Sequence, residues 1–424
     1  MLFVILFSFI LGYVLIVLEQ PLKIDKAVSG ILTGVICWVL VSMAPGLVES
    51  GMTPESEIGH HLGEIAQILL FLIGAMTIVE LVDAHKGFNL LSDLIQTKKK
   101  ASLLIVVSII TFFLSAVLDN LTTTIVMISL IRKLVPDQES RKWYAGFIII
   151  AANAGGAWSP LGDVTTTMLW IGEKVSSMEL VKLVFIPSIL CLAVPLALAI
   201  LFTNHFKGPV IAQEKDHDHV LGSSRFMLIT GILALLSVPV FKLLTHLPPF
   251  MGMMLALSVV WLISEFVDPK MDNFHVEDRH KLTARYALSR IEIPGILFFF
   301  GILTAVAALQ SVGLLTVLAT GLDAILGNYN YVAIMLGVLS SIIDNVPLVA
   351  ASMGMYSLPE DHGFWHFIAY AAGTGGSMLI IGSAAGVAAM GMENLQFMWY
   401  LKRIGGLAAV GFLAGSLWML LVGA

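Results

Sequence analysis

Two of the most apolar stretches in the chain, residues 101–134 and 329–357, are interrupted by the same polar pair. It is Asp119-Asn120 in "SAVLDNLTTT" and Asp344-Asn345 in "SSIIDNVPLV". Runs this apolar belong in lipid, where an isolated ionised carboxylate is expensive. Each acid must therefore bind a cation, carry a proton or pair with a base. This demand constrains the fold more than any other feature.

The rest of the composition agrees with a lipid setting. Of 424 residues, 58% are hydrophobic and 12% charged, against roughly 25% charged in a soluble domain. The expected fold class is an all-α polytopic membrane protein with no extramembrane domain of any size. The net charge of -6 says little, because in such a chain the placement of charge carries the information. Cys37 and Cys191 lie in apolar runs and form no metal motif. No GxxxxGK[ST] loop is present, so nothing suggests that ATP drives the protein. Nothing calls for a cofactor or a nucleic-acid partner; the lipid bilayer is the expected one. The opening MLFVILF lacks a basic flank and reads as a span rather than a leader.

A span needs about 20 apolar residues. Ten stretches qualify: 2–18, 27–46, 64–83, 143–172, 181–203, 226–246, 249–266, 292–311, 363–391 and 404–422. Segments 87–97 and 314–326 look amphipathic and interfacial. Basic residues orient the chain. Lys98, Lys99 and Lys100 precede the first interrupted stretch, and Arg132, Lys133, Arg141 and Lys142 follow it. Both flanks are cytoplasmic by the positive-inside rule, so 101–134 is expected to be a re-entrant hairpin with its tip at Asp119-Asn120. Between Arg290 and Lys402 there is no Lys or Arg, while Asp323, Glu360 and Asp361 flank the second stretch. Hairpin 329–357 is thus expected to enter from outside. Lys23 and Lys26, Lys207 and Lys215, and the run from Lys270 to Arg290 fall inside, and both termini fall outside.

Opposed hairpins suggest an inverted repeat, and the sequence contains one. "LFLIGAMTIVE" (70–80) matches "LFFFGILTAVA" (297–307), "SAVLDN" (115–120) matches "SSIIDN" (340–345), and "AANAGGAWSPLGD" (151–163) matches "AAGTGGSMLIIGS" (371–383). The offsets are 227, 225 and 220 residues. The expected division is 1–203 for the first repeat, 204–225 for a cytoplasmic linker and 226–424 for the second repeat. The third block is expected to break two helices. Asn153–Gly156 and Ser159–Gly162 put two breaks inside 143–172, and Gly373–Gly376 puts one inside 363–391. Matched interrupted helices in a transporter point to its binding site.

Exposed backbone carbonyls together with Asn and Thr oxygens suit a hard cation such as sodium. With no intramembrane Lys or Arg near either tip, a cation or a proton is the expected partner of Asp119 and Asp344. Leaving water favours a protonated carboxyl, and a bound cation favours the ionised one. Competition for one site then couples the two ions. The halves also differ. Glu80 and Asp83 align with Ala307 and Gln310, and Asp163 aligns with Ser383. These three extra acids are candidates for proton handling. Glu80 and Asp83 also read as a helix end at the interface, and Asp163 as the cap of a half-helix. Glu64 reads as a first-turn acid, and His60, His61, His217 and His219 as solvated loop residues. GILTG (30–34) and GFLAG (411–415) read as close packing in preference to a dimer interface.

"GAMTIVELVDAHKGF", "LDNLTTT", "NAGGAWSPLGDVTTTMLW" and "IIDNVPLVAA" together resemble the NhaD-type sodium/proton antiporters of the ion transporter superfamily. The resemblance runs from about 64 to 390. It implies an inner-membrane protein, usually a homodimer, which exchanges sodium or lithium for protons and is not an enzyme. It also implies a transport domain that moves as an elevator against a scaffold. By the resemblance, Asp119, Asn120, Asp344 and Asn345 form the tips, with Asp119 and Asp344 on the sodium. Asn153 with Gly155 and Gly156, and Thr374 with Gly375 and Gly376, belong to the broken helices. Dicarboxylate symporters of the superfamily carry Ser at the tips where Asp stands here. A sodium-coupled symporter of a dicarboxylate or other anion is the alternative expectation.

Overall fold

The computed structural model describes residues 1–95, 97, 99–209, 221–267 and 280–422. Every regular element among them is a helix. The expected linker 204–225 falls largely outside the described residues, as do Lys98, Lys215, His217, His219 and Lys270.

The first half opens with α1 (Leu2–Val17), α2 (Lys26–Ser42) and α3 (Pro54–Ala84), then a short 3-10 segment at Gly87–Leu94. A hairpin follows, α4 (Lys100–Ser115) and α5 (Asn120–Leu134), and then α6 (Gln138–Ala157), α7 (Val164–Ile171) and α8 (Ser177–Phe202). The second half runs through the same order. It has α9 (Ser224–Thr245), α10 (Pro249–Phe266) and α11 (Ile293–Ser311), then α12 (Leu314–Leu326). A hairpin of α13 (Tyr329–Leu339) and α14 (Asn345–Met355) precedes α15 (Gly363–Gly375), α16 (Ala384–Glu393) and the terminal α17 (Gly406–Val422). A π-turn at Leu401–Gly405 leads into α17.

Six helical stretches among the described residues are long and apolar enough to cross a membrane: Pro54–Ala84, Ser177–Phe202, Ser224–Thr245, Pro249–Phe266, Ile293–Ser311 and Phe397–Val422. The chain is a multi-pass membrane protein. Of the other expected spans, α1 and α2 are apolar but only 16 and 17 residues long, and 143–172 and 363–391 are each split in two. Helix α3 starts ten residues before the expected 64, because Thr53 accepts from Ser56 N at 3.3 Å and Pro54 stands at the first turn. His60 and His61 therefore lie within a helix and not in a loop, and Glu64 stands ten residues past the helix start and not in its first turn. His61 is buried, 3.2 Å from Ser311 Oγ.

The helices sort into two packed groups. Helices α1–α3 pack with α9–α11, and α4–α8 pack with α13 and α15–α17. The groups meet where α14 lies on α11 and α7, and where α7 lies on α3. GILTG and GFLAG serve packing within the chain: Gly34 faces the Gly301 carbonyl, and Gly411 faces that of Cys191. Glu393, at the end of α16, is buried and accepts from Arg132 Nε at 2.6 Å and Arg141 Nε at 3.0 Å. That carboxylate ties the ends of α5 and α16 to the start of α6.

Corresponding bonds recur in the two halves. Ser115 Oγ donates to the Ala152 carbonyl at 2.6 Å, and Ser340 Oγ to the Ala372 carbonyl at 2.7 Å. The expected helix breaks need one correction. Helix α6 runs through Asn153–Gly156 unbroken, and α15 reaches Gly375; the breaks fall at 158–163 and 376–383. Glycine costs a helix interior only about 1 kcal/mol, too little to end one that is packed. Its use here is close approach. A Cβ on Gly155 would strike the carbonyl of Phe112, and one on Gly375 that of Gly337.

Gly155→Ala and Gly375→Ala should each lower the thermal midpoint of the detergent-purified protein, at a cost of about 1–3 kcal/mol from overpacking. Gly59→Ala, which meets open space, should not. Equal midpoints for all three would contradict this reading of the glycines.

Candidate functional site

Four helices begin at the two hairpin turns and the two helix breaks: α5, α7, α14 and α16. Each start leaves backbone N–H groups without a helical partner, and a side-chain acceptor at the N-cap satisfies them. The four caps are Asp119, Asp163, Asp344 and Ser383. Asp119 accepts from Thr122 N at 2.8 Å and Thr122 Oγ1 at 2.7 Å. Asp163 accepts from Thr165 N at 3.0 Å, Asp344 from Val346 N at 3.4 Å and Ser383 from Gly386 N at 3.2 Å. A helix start also favours negative charge through its dipole. Three carboxylates can therefore stand near one another, Asp163 buried and Asp119 and Asp344 partly exposed.

Asp163 is the hub, and only 2% of it is exposed. Asn120 Nδ2 donates to its Oδ2 at 2.8 Å. Asn345 Nδ2, from the other hairpin, reaches Oδ2 at 3.2 Å and Oδ1 at 3.4 Å. Asn120 Nδ2 also reaches Asn153 Oδ1 at 3.0 Å. Asn153 in turn donates from Nδ2 to Ser377 Oγ and Ser383 Oγ, both at 2.9 Å. One connected, buried network thus joins both hairpin tips and both helix breaks. Its donors are neutral N–H groups, and the carboxylate is the one charge they address.

Two cavities approach this network. One, of about 310 Å³, is lined by Asp119, Asn120 and Thr167 and by Glu19, Lys26 and Glu292. The other, of about 460 Å³, is lined by Met168 and Met353 and by His61, Glu64, Lys174 and Gln310. Asp163 and Asn153 line neither. The hub is closed off between them.

The expectation that no base reaches the tips is overturned. Lys26 Nζ lies 3.4 Å from Asp344 Oδ2, with side-chain exposures of 23% and 17%. The charge pattern assigned Lys26 to a loop, but its stem runs inward from the first turn of α2 and places the ammonium 4.7 Å from the centre of the Phe298 ring. A long aliphatic stem lets a lysine do this.

The remaining expected residues divide. Asp119, Asn120, Asn153, Asp163, Asp344 and Asn345 are brought to the helix breaks. Thr374 is buried there too, but its hydroxyl donates to the Tyr370 carbonyl at 2.6 Å in its own helix. Gly155, Gly156, Gly375 and Gly376 pack backbone against backbone. Glu80 and Asp83 lie apart from the hub, near the end of α3, where Glu80 meets Arg290 at 3.2 Å. Sequence reasoning missed Lys26, Ser377 and Ser383 as polar partners at the centre. The alignment of Ser383 with Asp163 was the available signal for the last.

Comparison with known proteins places the chain among membrane transporters. Residues 3–366 match a family model described as a citrate transporter. The chain is 49% identical to "Sodium/proton antiporter 1" of Arabidopsis thaliana, covering 96% of this chain and 70% of the relative. It is 46% identical to "Sodium/proton antiporter 2" of the same plant, over 97% of each. It is 31% identical to "Na(+)/H(+) antiporter NhaD" of Alkalimonas amylolytica, over 94% of this chain and 86% of the relative.

Asp163→Ala should destabilise the protein markedly, since it leaves the Asn345 amide and the Thr165 N–H without an acceptor and the Asn120 amide with Asn153 Oδ1 alone. Each buried orphan costs about 1–3 kcal/mol. Asp163→Asn, which keeps one carbonyl oxygen, should recover part of the loss. Thermal unfolding in detergent measures this, and a wild-type midpoint for Asp163→Ala would remove Asp163 from the centre of the network.

Proposed function

The chain belongs to the NhaD-type sodium/proton antiporters of the ion transporter superfamily, within reach of the citrate-transporter family model, and from that premise we propose that it exchanges sodium or lithium for protons at the network around Asp163. The observation that carries the reading is the meeting of both tip asparagines on one buried carboxylate, with Asp119 and Asp344 capping the neighbouring helices. The ions are substrates, and no catalysis is required.

The chemistry follows from desolvation. A buried carboxylate is tolerable only when a proton, a cation or enough N–H donors compensate it. Here Asn120, Asn345 and Thr165 supply those donors. An amide presents a donor on one side and an acceptor on the other. An arriving sodium ion would turn the two tip amides so that their oxygens join Asp163 and Asp119 around it. Protonation of the acids would reverse the change and expel the ion. Occupancy by sodium or by protons then excludes the other.

The route is alternating access. Stretches 101–134 and 329–357 act as re-entrant hairpins of opposite orientation, and the two halves, 1–203 and 226–424, form an inverted repeat. The recurring element order and the paired Ser115 and Ser340 bonds support this. The group of α4–α8 with α13–α17 is the moving body, and α1–α3 with α9–α11 the scaffold, in an elevator motion. The cavity containing Asp119 and Asn120 opens to the cytoplasm, and the one beside Gln310 to the outside. The protein is placed in an inner membrane with both termini outside, as a homodimer in keeping with the family resemblance. Inward proton flow expels sodium.

The citrate-transporter description of the family model favours one second reading, sodium-coupled uptake of a dicarboxylate or other anion. Acidic tips argue against a doubly negative substrate there. In everted vesicles, sodium or lithium should dissipate a respiration-generated pH gradient. Asp119→Asn, Asp344→Asn and Asp163→Asn should each reduce that response at least about tenfold while inserting normally, an effect of about 1.4 kcal/mol or more. An unaffected pH gradient, with labelled citrate accumulating on sodium addition, would replace the antiport reading with the symport one.

A further inference from the structure

The contact between Lys26 and Asp344 joins the scaffold helix α2 to the tip of the second hairpin. The two halves are not alike at this point. Helix α10, which corresponds to α2, begins with Pro249 where α2 begins with Lys26. Asp119 accordingly takes its side-chain hydrogen bonds from Thr122 and not from a base. Among the described residues, a base contacts one tip and not the other.

Its surroundings offer the ammonium a second set of partners. Glu19 and Glu292 line the same cavity as Lys26 and Asp119. The Phe298 ring holds the ammonium from one side at 4.7 Å. Lys26 can thus leave Asp344 without becoming an unpaired charge. A contact of 3.4 Å between partly buried groups is close enough to neutralise Asp344, and loose enough for a competing cation to displace.

We propose that Lys26 is a tethered cation that occupies Asp344 while the site is empty, holds the hairpin tip to the scaffold, and is displaced toward Glu19 and Glu292 when sodium binds. The proposal rests on the antiport reading above and adds a specificity- and coupling-determining residue to it. The unloaded body stays latched because Asp344 cannot leave Lys26 without losing its counter-charge. A sodium ion supplies that charge and frees the tip. Binding of the transported ion and release of the moving body are then one event.

The test compares Lys26→Met, Lys26→Arg and Glu292→Gln. Coupling between two such sites is typically worth about 5- to 150-fold in affinity. In everted vesicles, Lys26→Met should lower the sodium concentration for half-maximal exchange at least about fivefold, and Lys26→Arg should keep it near wild type. Glu292→Gln removes a release partner and should raise it. The sodium dependence of thermal stabilisation of purified protein reads the same displacement without transport. An unchanged sodium midpoint for Lys26→Met in both assays overturns the proposal, as does a shift of the same size in Lys26→Arg. Wild-type vesicles without exchange would remove the antiport reading instead, and the binding midpoints would still decide the role of Lys26. Should Lys26→Met fail to insert, the rise expected for Glu292→Gln decides it.

Discussion

A helix that starts inside a protein has N–H groups with nothing to bond, and this chain starts four of them in one place. That demand organises the centre. The caps that meet it are three aspartates and a serine. An aspartate cap is ordinarily a stability device worth about 1 kcal/mol. Gathered around the buried Asp163, three such caps become a concentration of negative charge that the fold can only partly compensate. The site therefore follows from the topology: hairpins and split helices create buried helix starts, and buried helix starts draw carboxylates to a common point.

What lets the arrangement fold is the division of labour among the donors. Asp163 is satisfied by amides, Asp119 by its own helix and a threonine, and Asp344 partly by Lys26. None of these partners is a permanent, fully buried counter-ion. Glu393 shows the contrast. Two arginines bind it at 2.6 and 3.0 Å, and it holds three helix ends together. Removing one partner from a buried pair of that kind costs about 3–5 kcal/mol. The chain thus contains two kinds of inward-facing acid, one held by two guanidinium groups and the other by weaker donors.

Much of this was legible in the sequence because it depends on local chemistry. Asp119-Asn120 and Asp344-Asn345 stood out against apolar runs, and the helices stop and restart around them. The Gly-Gly pairs marked the right neighbourhood but misled about the breaks, because glycine signals both flexibility and close approach. Only the partner carbonyls of Phe112 and Gly337 show which applies. His61 was misplaced because the cap at Thr53 lies upstream of the apolar run that defined the span. Lys26 was misread for a different reason. The charge rule locates the backbone at a membrane face, and a lysine head group can lie several ångströms from its own Cα. Contacts such as Lys26 with Asp344, 318 residues apart, leave no local trace.

In the proposed mechanism, the inequality of the two halves is what would make the device directional. Two identical halves would give a centre with matched tips and no preference among its acids. Here the pseudo-equivalent positions carry Asp163 against Ser383, and Lys26 against Pro249. The first difference adds an acid to the centre; the second neutralises a tip on one side only. Each tip asparagine still reaches the same carboxylate, so what one hairpin binds is felt by the other. A site built this way has one shared acceptor, one tip that is free and one tip that is held. On the proposed reading, an ion entering beside Asp119 would meet the tip without a base first. It would satisfy the whole centre only by also releasing the tip held by Lys26, so loading and unlatching would coincide under the proposal.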